Sequence, residues 1–419
     1  MNTILIINII VAAIFTCCYA YQLYFLAVPH MKKPEPHKAP QPHRFAILIC
    51  ARNESAVIAD LLQSIHSQTY DQSLLTTFVI ADNCTDNTAE IAAAHGAVVY
   101  ERFNKEKVGK GYALEQLLIN IGKDYPDTFD GFFVFDADNV LDHRFIESMN
   151  QTFSDGYEVV TSYRNSKNYG DNWITAGYAL WFIRESWYLN YSRMLTGTSC
   201  AVSGTGFLFS RRVIEEAGGW KFHLLTEDIE FSVYNILGGY RIAFCKDAML
   251  YDEQPVTFRQ SWRQRLRWAR GFLQVFFKYG GKLLKGAAHR NFSCYDMSMT
   301  VMPAFILTVG LLAIYTITGI VMTVSGVAFA PSFIYILQTI LCMYITLYII
   351  GLYTTITQWD QIHTSPARKI GFTFTFPLFM MTYFPISLVA LVTKVQWKPI
   401  EHHAADKKVL DAAAGRIPK

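Results

Sequence analysis

The chain has 419 residues, with 37 basic and 34 acidic side chains and a formal charge of +3. At roughly 100–200 residues per domain, this leaves room for about two or three domains. Charged residues make up only 17%, against roughly 25% in soluble proteins, and the mean hydropathy is positive. These values argue against a disordered chain, a purely soluble enzyme and a basic nucleic-acid binder.

The first element is apolar. Ile4 to Val28 contains no charged residue and is followed by His30, Met31, Lys32 and Lys33. A helix needs roughly 20 apolar residues to cross a bilayer, and basic residues after such a stretch put its C-terminal end in the cytoplasm. A cleaved signal peptide carries its basic residues before the apolar run. Met1, Asn2 and Thr3 have no side-chain charge, so residues 1–28 are expected to form a membrane anchor. Residues 29–44 are rich in proline and histidine and read as a solvated linker. The 8 cysteines form no CxxC pair, and Cys17, Cys18 and Cys342 lie inside apolar runs. Neither a disulfide framework nor a zinc site is expected.

From Phe45 to about Asp252, short apolar runs alternate with amphipathic segments. Runs of strand length are Phe45–Cys50, Leu75–Ala81, Ala97–Tyr100, Gly131–Phe135 and Tyr157–Tyr163. Helical spacing marks Ala56–His66, Asn87–Ala94, Tyr112–Ile121 and Arg144–Phe153. This alternation predicts an α/β domain over residues 45–253, a parallel sheet with helices on both faces, with ligands at the carboxyl ends of its strands. Those ends are acidic: Asn53 and Glu54 follow the first run, Asp82 ends the second, and Asp136-Ala137-Asp138-Asn139 follows Gly131–Phe135. Carboxylates gathered in one place repel one another, so they call for a cation or a donor-rich ligand. Asp136-x-Asp138 after a hydrophobic strand offers two oxygens to a hard divalent ion that also binds a diphosphate, although capping aspartates also recur at strand ends. No GxGxxG and no Walker lysine follow the first strand. Gly109-Lys110-Gly111 precedes a helix and suits a phosphate, or is only a helix start.

Two later groups narrow the chemistry. Thr226-Glu227-Asp228 opens a helical segment, where the macrodipole favours an ionised carboxylate; this suits a general base and equally a helix cap. Gln264-Arg265-Leu266-Arg267-Trp268 follows Arg259, Trp262 and Arg263. Helical spacing puts Gln264, Arg267 and Trp268 on one face, where an amide, a guanidinium and an indole suit hydroxyls, phosphate and a sugar ring. The stretch 254–298 is also basic and amphipathic enough to lie on anionic lipid. Three apolar stretches follow within 299–395: Met299 to Ala328, Ser332 to Thr355 and Ile370 to Val395. The last holds Pro377 and Pro385 and is expected to break into two short pieces or to re-enter. Residues 396–419 form a basic tail, expected in the cytoplasm.

Taken in order, Asp82, Asp136-Ala137-Asp138, Thr226-Glu227-Asp228 and, about 36 residues on, Gln264-Arg265-Leu266-Arg267-Trp268 resemble the motifs of the membrane-bound family-2 glycosyltransferases. That processive group includes the cellulose, chitin, hyaluronan and poly-N-acetylglucosamine synthases. The resemblance implies a GT-A type, mostly parallel nucleotide-sugar-binding sheet between an N-terminal transmembrane anchor and C-terminal transmembrane helices, with the catalytic domain on the cytoplasmic side of the plasma membrane. Asp82 would bind the uracil of a UDP-sugar, Asp136 the nucleotide, and Asp138, with Asp136, the Mg²⁺ or Mn²⁺ on the diphosphate. Asn53, Glu54, Lys110, Gln264 and Arg267 would complete the donor site. Asp228, beside Glu227, would deprotonate the acceptor, a growing glycan or a lipid-linked sugar. Trp268, Gly204 and Thr205 would line the acceptor site, and Trp173–Tyr191 would be an interfacial helix. Gln396-Trp397-Lys398 would cover the donor, without the FxVTxK pattern that relatives carry there. The implied reaction is an inverting transfer, by a polymerase that extends and secretes a β-linked polysaccharide or by a nonprocessive enzyme that adds one sugar to a lipid or short glycan. A membrane transporter or receptor with a soluble α/β module would need charged residues along its apolar segments; the four stretches have none in their interiors.

Overall fold

The computed structural model describes residues 3–301, 314, 317–321, 324–326, 330–395 and 407–415. Its strands are β1 (Phe45–Ala51), β2 (Leu75–Asp82), β3 (Val98–Arg102), β4 (Gly131–Asp136), β5 (Val140–Leu141), β6 (Val159–Ser166), β7 (Phe207–Ser210) and β8 (Ile242–Asp252). The helices are α1 (Thr3–Met31), α2 (Ile58–His66), α3 (Thr88–Ala94), α4 (Lys110–Asp124), α5 (Phe145–Ser154), α6 (Trp173–Arg184), α7 (Ser192–Thr196), α8 (Arg211–Ala217), α9 (Glu227–Leu237), α10 (Phe258–Ala288), α11 (Phe292–Val301), α12 (Ala330–Thr357), α13 (Pro366–Met381), α14 (Tyr383–Val392) and α15 (Lys407–Ala413). A π-helical segment, Glu185–Tyr191, joins α6 to α7.

The strands form one sheet in the order β3-β2-β1-β4-β7-β6-β8-β5. Pairing is parallel from β3 through β4 and between β6 and β8. It is antiparallel wherever β7 or β5 takes part. The sheet is thus mostly parallel rather than wholly so, because the short strand β7 runs between β4 and β6 against both. Period-two alternation sends successive side chains to opposite faces. Ala46, Leu48, Phe78, Ile80 and Val134 pack with Ala113, Leu114 and Leu117 of α4 on one face. Phe45, Ile47, Ile49, Val79 and Phe133 pack with Ile58, Leu61 and Leu62 of α2 on the other. Both faces of β1 are covered, which is why Phe-Ala-Ile-Leu-Ile-Cys-Ala carries no polar alternation.

Three connections carry more structure than the sequence reading gave them. The proline-rich segment after α1 is strapped to α5 rather than solvated along its length. The Lys38 amide donates to Asp155 Oδ1 at 2.9 Å, the Gln41 amide to Ser154 Oγ at 3.0 Å, and Asn150 Nδ2 to the Gln41 carbonyl at 3.0 Å. Trp173–Tyr191 is wedged into protein: in α6, Ala179 and Leu180 are buried in the core, and Gly177 faces the ring of Phe379 on α13 so closely that an added Cβ would lie 2.3 Å from it. The last apolar stretch forms α13 and α14, and the break falls at Thr382 rather than at either proline. Pro377 stays inside α13 and Pro385 sits in the first turn of α14, where its missing N–H has no intrahelical partner to lose. Thr382 Oγ1 donates to the Phe379 carbonyl at 2.6 Å and accepts from Arg265 Nη1 at 2.6 Å.

Among the described residues, three helical stretches are long and apolar enough to cross a membrane: Ile9–Met31, Ile340–Thr357 and, taking α13 and α14 together, Pro366–Val392. Most of the stretch from Met299 to Ala328, and the tail motif Gln396-Trp397-Lys398, lie outside the described residues.

Candidate active site

The carboxyl ends of β1, β2, β4 and β8 converge on one cavity. Asp82, at the end of β2, is 5% exposed and accepts from Arg102 Nη1 of β3 at 2.5 Å and from Asn83 Nδ2 at 3.0 Å. Asn53 takes a positive φ of 57° and faces away from the cavity. Its Oδ1 accepts from the Thr85 amide at 2.8 Å, so it ties the loop after β1 to the loop after β2. Glu54 lines the cavity, while its amide donates to Thr88 Oγ1 at 2.9 Å.

Beyond β4, Lys110 at the first turn of α4 donates to Asp136 Oδ1 at 2.5 Å and to the Gly204 carbonyl at 2.8 Å. Burial alone would discharge this amine; the carboxylates of Asp136 and Glu227 outweigh it and hold the pKa above the usual lysine range. Asp138 is buried, with Oδ2 accepting from the Glu253 amide at 3.3 Å. Thr205 lies behind the cavity wall rather than on it. Its hydroxyl accepts from the Asp136 amide at 2.9 Å and donates to Asn139 Oδ1 at 2.5 Å, fixing the turn that carries both aspartates. Gly204 is on the wall.

Thr226-Glu227-Asp228 enters from the start of α9, and α10 clamps it there. Arg267 Nη1 donates to the Leu225 carbonyl at 2.7 Å, and Gln274 Oε1 accepts from the Leu225 amide at 3.2 Å. Gly271 lets α10 approach so closely that an added Cβ would lie 2.5 Å from Thr226 Cγ2. Buried Glu230 completes the clamp, accepting from Lys278 Nζ at 2.6 Å and from the Leu224 amide at 3.0 Å. The helix start was expected to keep these carboxylates easily ionised. Burial wins instead: it pushes Asp228 up, against backbone N–H groups and the charges of Lys110 and Arg267. Burial and the charge of Asp228 likewise push Glu227 up, to about 7. A carboxylate with a raised pKa is the stronger base.

Gln264, Arg267 and Trp268 share the cavity-facing side of α10. Trp268 is held edge-on by Tyr178 and Phe182, with ring centroids 5.7 and 6.1 Å away. Arg265 points the other way. It is fully buried, with Nη1 donating to the Phe379 carbonyl at 3.1 Å.

The cavity holds about 580 Å³. Of the thirteen residues singled out in the sequence, eleven line it and two, Asn53 and Thr205, do not. Its far end runs past Trp268 to Met343, Met380 and Phe384 of the apolar helices. Among the lining residues that escaped the sequence reading are Asp252, Arg164 and Glu185. Asp252 at the end of β8 binds Arg164 through Nε at 2.9 Å and through Nη2, and accepts from Asn139 Nδ2 at 3.1 Å. Tyr251-Asp252-Glu253 is one more acidic strand end, so the rule that found Asp82 and Asp136 would have reached it had β8 been recognised. Glu185, the third, carried no such signal.

Among the described residues, no group of three or more His, Cys, Asp or Glu could hold a metal ion unaided. Asp136 and Asp138 supply hard oxygens on the cavity wall, and an ion bound there would draw its remaining ligands from a diphosphate and water, the usual habit of Mg²⁺. The donor set fits on those terms.

A sheet of this order, with acidic strand ends beneath one cavity, defines the GT-A-like α/β class. Residues 42–271, more than half of the chain, match glycosyltransferase-like family 2, and the chain belongs to that family, whose chemistry is sugar transfer. It is 26% identical over 267 residues to the beta-monoglucosyldiacylglycerol synthase of Nostoc sp., covering 62% of this chain and 56% of that one. It is 28% identical over 239 residues to the poly-beta-1,6-N-acetyl-D-glucosamine synthase of Staphylococcus aureus, covering 55% of each. The matches thus span little more than half the length of these relatives. The mannosyltransferase PcManGT of Pyrobaculum calidifontis, solved with GDP-Man and Mn2+, shares the fold with a TM-score of 0.58 at 16% identity, covering 91% of this chain and 98% of that one.

Proposed function

We propose that this protein transfers a sugar, with inversion, from a UDP-sugar to a hydroxyl of an acceptor that reaches the cavity from the membrane side. The observation that carries this reading is the continuity of one cavity from Asp82, Asp136 and Asp138, past Asp228 and Trp268, to Met343, Met380 and Phe384. Donor and acceptor then meet at Asp228 in line. The acceptor hydroxyl attacks the anomeric carbon from the face opposite the diphosphate and gives its proton to Asp228. The new C–O bond forms as the bond to the diphosphate oxygen breaks, and the electron pair leaves on the diphosphate. One displacement converts an α-linked donor to a β-linked product.

Lys110 and Arg267 bring positive charge to the donor half, where charge builds on the leaving group. Asp136 and Asp138 would hold a Mg²⁺ or Mn²⁺ ion, which when bound offsets that charge as a Lewis acid. Glu227 places a second carboxylate beside Asp228, whose basicity is raised by burial. Trp268 offers an apolar face to an acceptor ring.

Apolar side chains at the far end favour an acceptor with a lipid portion, and so the addition of a single sugar. The tryptophans Trp181 and Trp268 favour a second form of the same reaction, the extension of a β-linked glycan. Incubating the purified protein with labelled UDP-sugars and sizing the products separates them: one added sugar supports the first, a ladder the second. Anomeric configuration by proton NMR tests inversion, and an α-linked product would contradict it. An integral membrane location, with the sheet on the cytoplasmic side, belongs to the same reading. Retention of the protein in carbonate-washed membranes is expected, and complete release would contradict it.

A further inference from the structure

Glu185 is a carboxylate that the mechanism above does not use. It opens the π-helical segment after α6, where the wider turn re-aims side chains and functional groups often collect. It lines the cavity together with Ser203, Arg164, Asp228 and Phe182. Ser203 Oγ donates to Glu185 Oε2 at 3.3 Å.

Two cations that line this half of the cavity, Arg193 and Arg164, are committed to other carboxylates. Arg193 is 2% exposed and binds Asp296 through Nε at 2.6 Å and Nη2 at 3.0 Å. Arg164 is held by Asp252 and lies over the Phe182 ring at 3.8 Å. Each of these guanidiniums is paired with its own carboxylate, which leaves Glu185 and Asp228 as the acidic groups facing the acceptor half. Lys110, paired with Asp136, and Arg267, donating to the Leu225 carbonyl, bring their cations to the donor end.

From this arrangement we infer that Glu185 selects the acceptor: it takes hydroxyls of an uncharged headgroup, a sugar or a glycerol, and turns away acceptors that attack through a phosphate. A carboxylate accepts two hydroxyl hydrogen bonds readily and repels a phosphate brought close to it. The presence of a base points the same way, since a phosphate oxygen at neutral pH has no proton for Asp228 to remove, whereas a hydroxyl does. This inference rests on the transferase reading proposed above and names its acceptor class.

The test uses the full-length protein in detergent with two acceptor probes, an alkyl β-glucoside and a polyprenyl phosphate. Transfer and acceptor-independent UDP release are followed in wild type, E185Q and S203A. Wild type is expected to use the glucoside and not the phosphate. E185Q is expected to raise the KM for the glucoside by about tenfold, the loss of a charge-assisted hydrogen bond. Its kcat, its donor KM and its melting temperature should stay near wild type, a split that a merely structural role would not give. S203A keeps the charge and should move the acceptor KM by less. An unchanged acceptor KM in E185Q, or wild-type transfer to the polyprenyl phosphate as fast as to the glucoside, overturns the assignment alone. Absence of both UDP release and transfer in wild type overturns the assignment together with the reading beneath it.

Discussion

At the scale of single residues, the site depends on carboxylates kept in surroundings that disfavour their charge. Glu227 and Asp228 both line the cavity and feel the charges of Lys110 from α4 and Arg267 from α10. Replacing Asp228 by Asn keeps the volume and removes the proposed base. The expected loss is about 10²–10⁴-fold in kcat, the usual range for general-base catalysis, with the donor KM little changed, as read by UDP release. Glu227 makes a prediction of the opposite sign for stability. Its folded pKa of about 7 lies above the ordinary value of about 4.3, so between these values the folded protein binds more protons than the unfolded chain. Its contribution is full below pH ~4.3 and is lost as pH rises through about 7. The variant E227Q is therefore expected to melt higher than wild type at pH 8 in EDTA and no higher at pH 4.5; equal shifts at both pH values would contradict this account.

At the scale of elements, α10 decides whether the site is assembled. Gln264, Arg267 and Trp268 face the cavity, Arg265 locks the helix to the junction of α13 and α14, and Gly271 seats it on Thr226. G271A would drive a methyl group into Thr226. The expected cost is about 1–3 kcal/mol of stability, as for other overpacked contacts, together with a fall in kcat as the carboxylates shift; circular dichroism melts and UDP release check both. Helical spacing made the shared face of Gln264, Arg267 and Trp268 legible in the sequence, and it also separated Arg265 from them. The close approach at Gly271 was not legible, because a glycine in a long helix gives no sign of what it touches. Strands β1, β2 and β4 were legible as unbroken apolar runs. Strands β7 and β5 were not, being only 4 and 2 residues long, and Lys246-Asp247 interrupts β8 where its pairing with β6 shifts. Missing β8 hid Asp252, and with it the commitment of Arg164.

At the scale of the molecule, a nucleotide-sugar fold is joined to apolar helices through one cavity, and the chemistry follows from that union. Composition announced both halves; their connection needed the folded chain, since Asp136 and Met343 are far apart in sequence and line the same space. The central claim is that the acidic strand ends hold a nucleotide diphosphate through a divalent ion. Titrating UDP into the purified protein, with MnCl₂ or with EDTA, and into the D138N variant, tests it most directly. The account predicts binding at least about tenfold tighter with Mn²⁺ than with EDTA, because the diphosphate completes the coordination of the ion, and loss of that gain in D138N. Equal affinity in EDTA, or an undiminished gain in D138N, would contradict it.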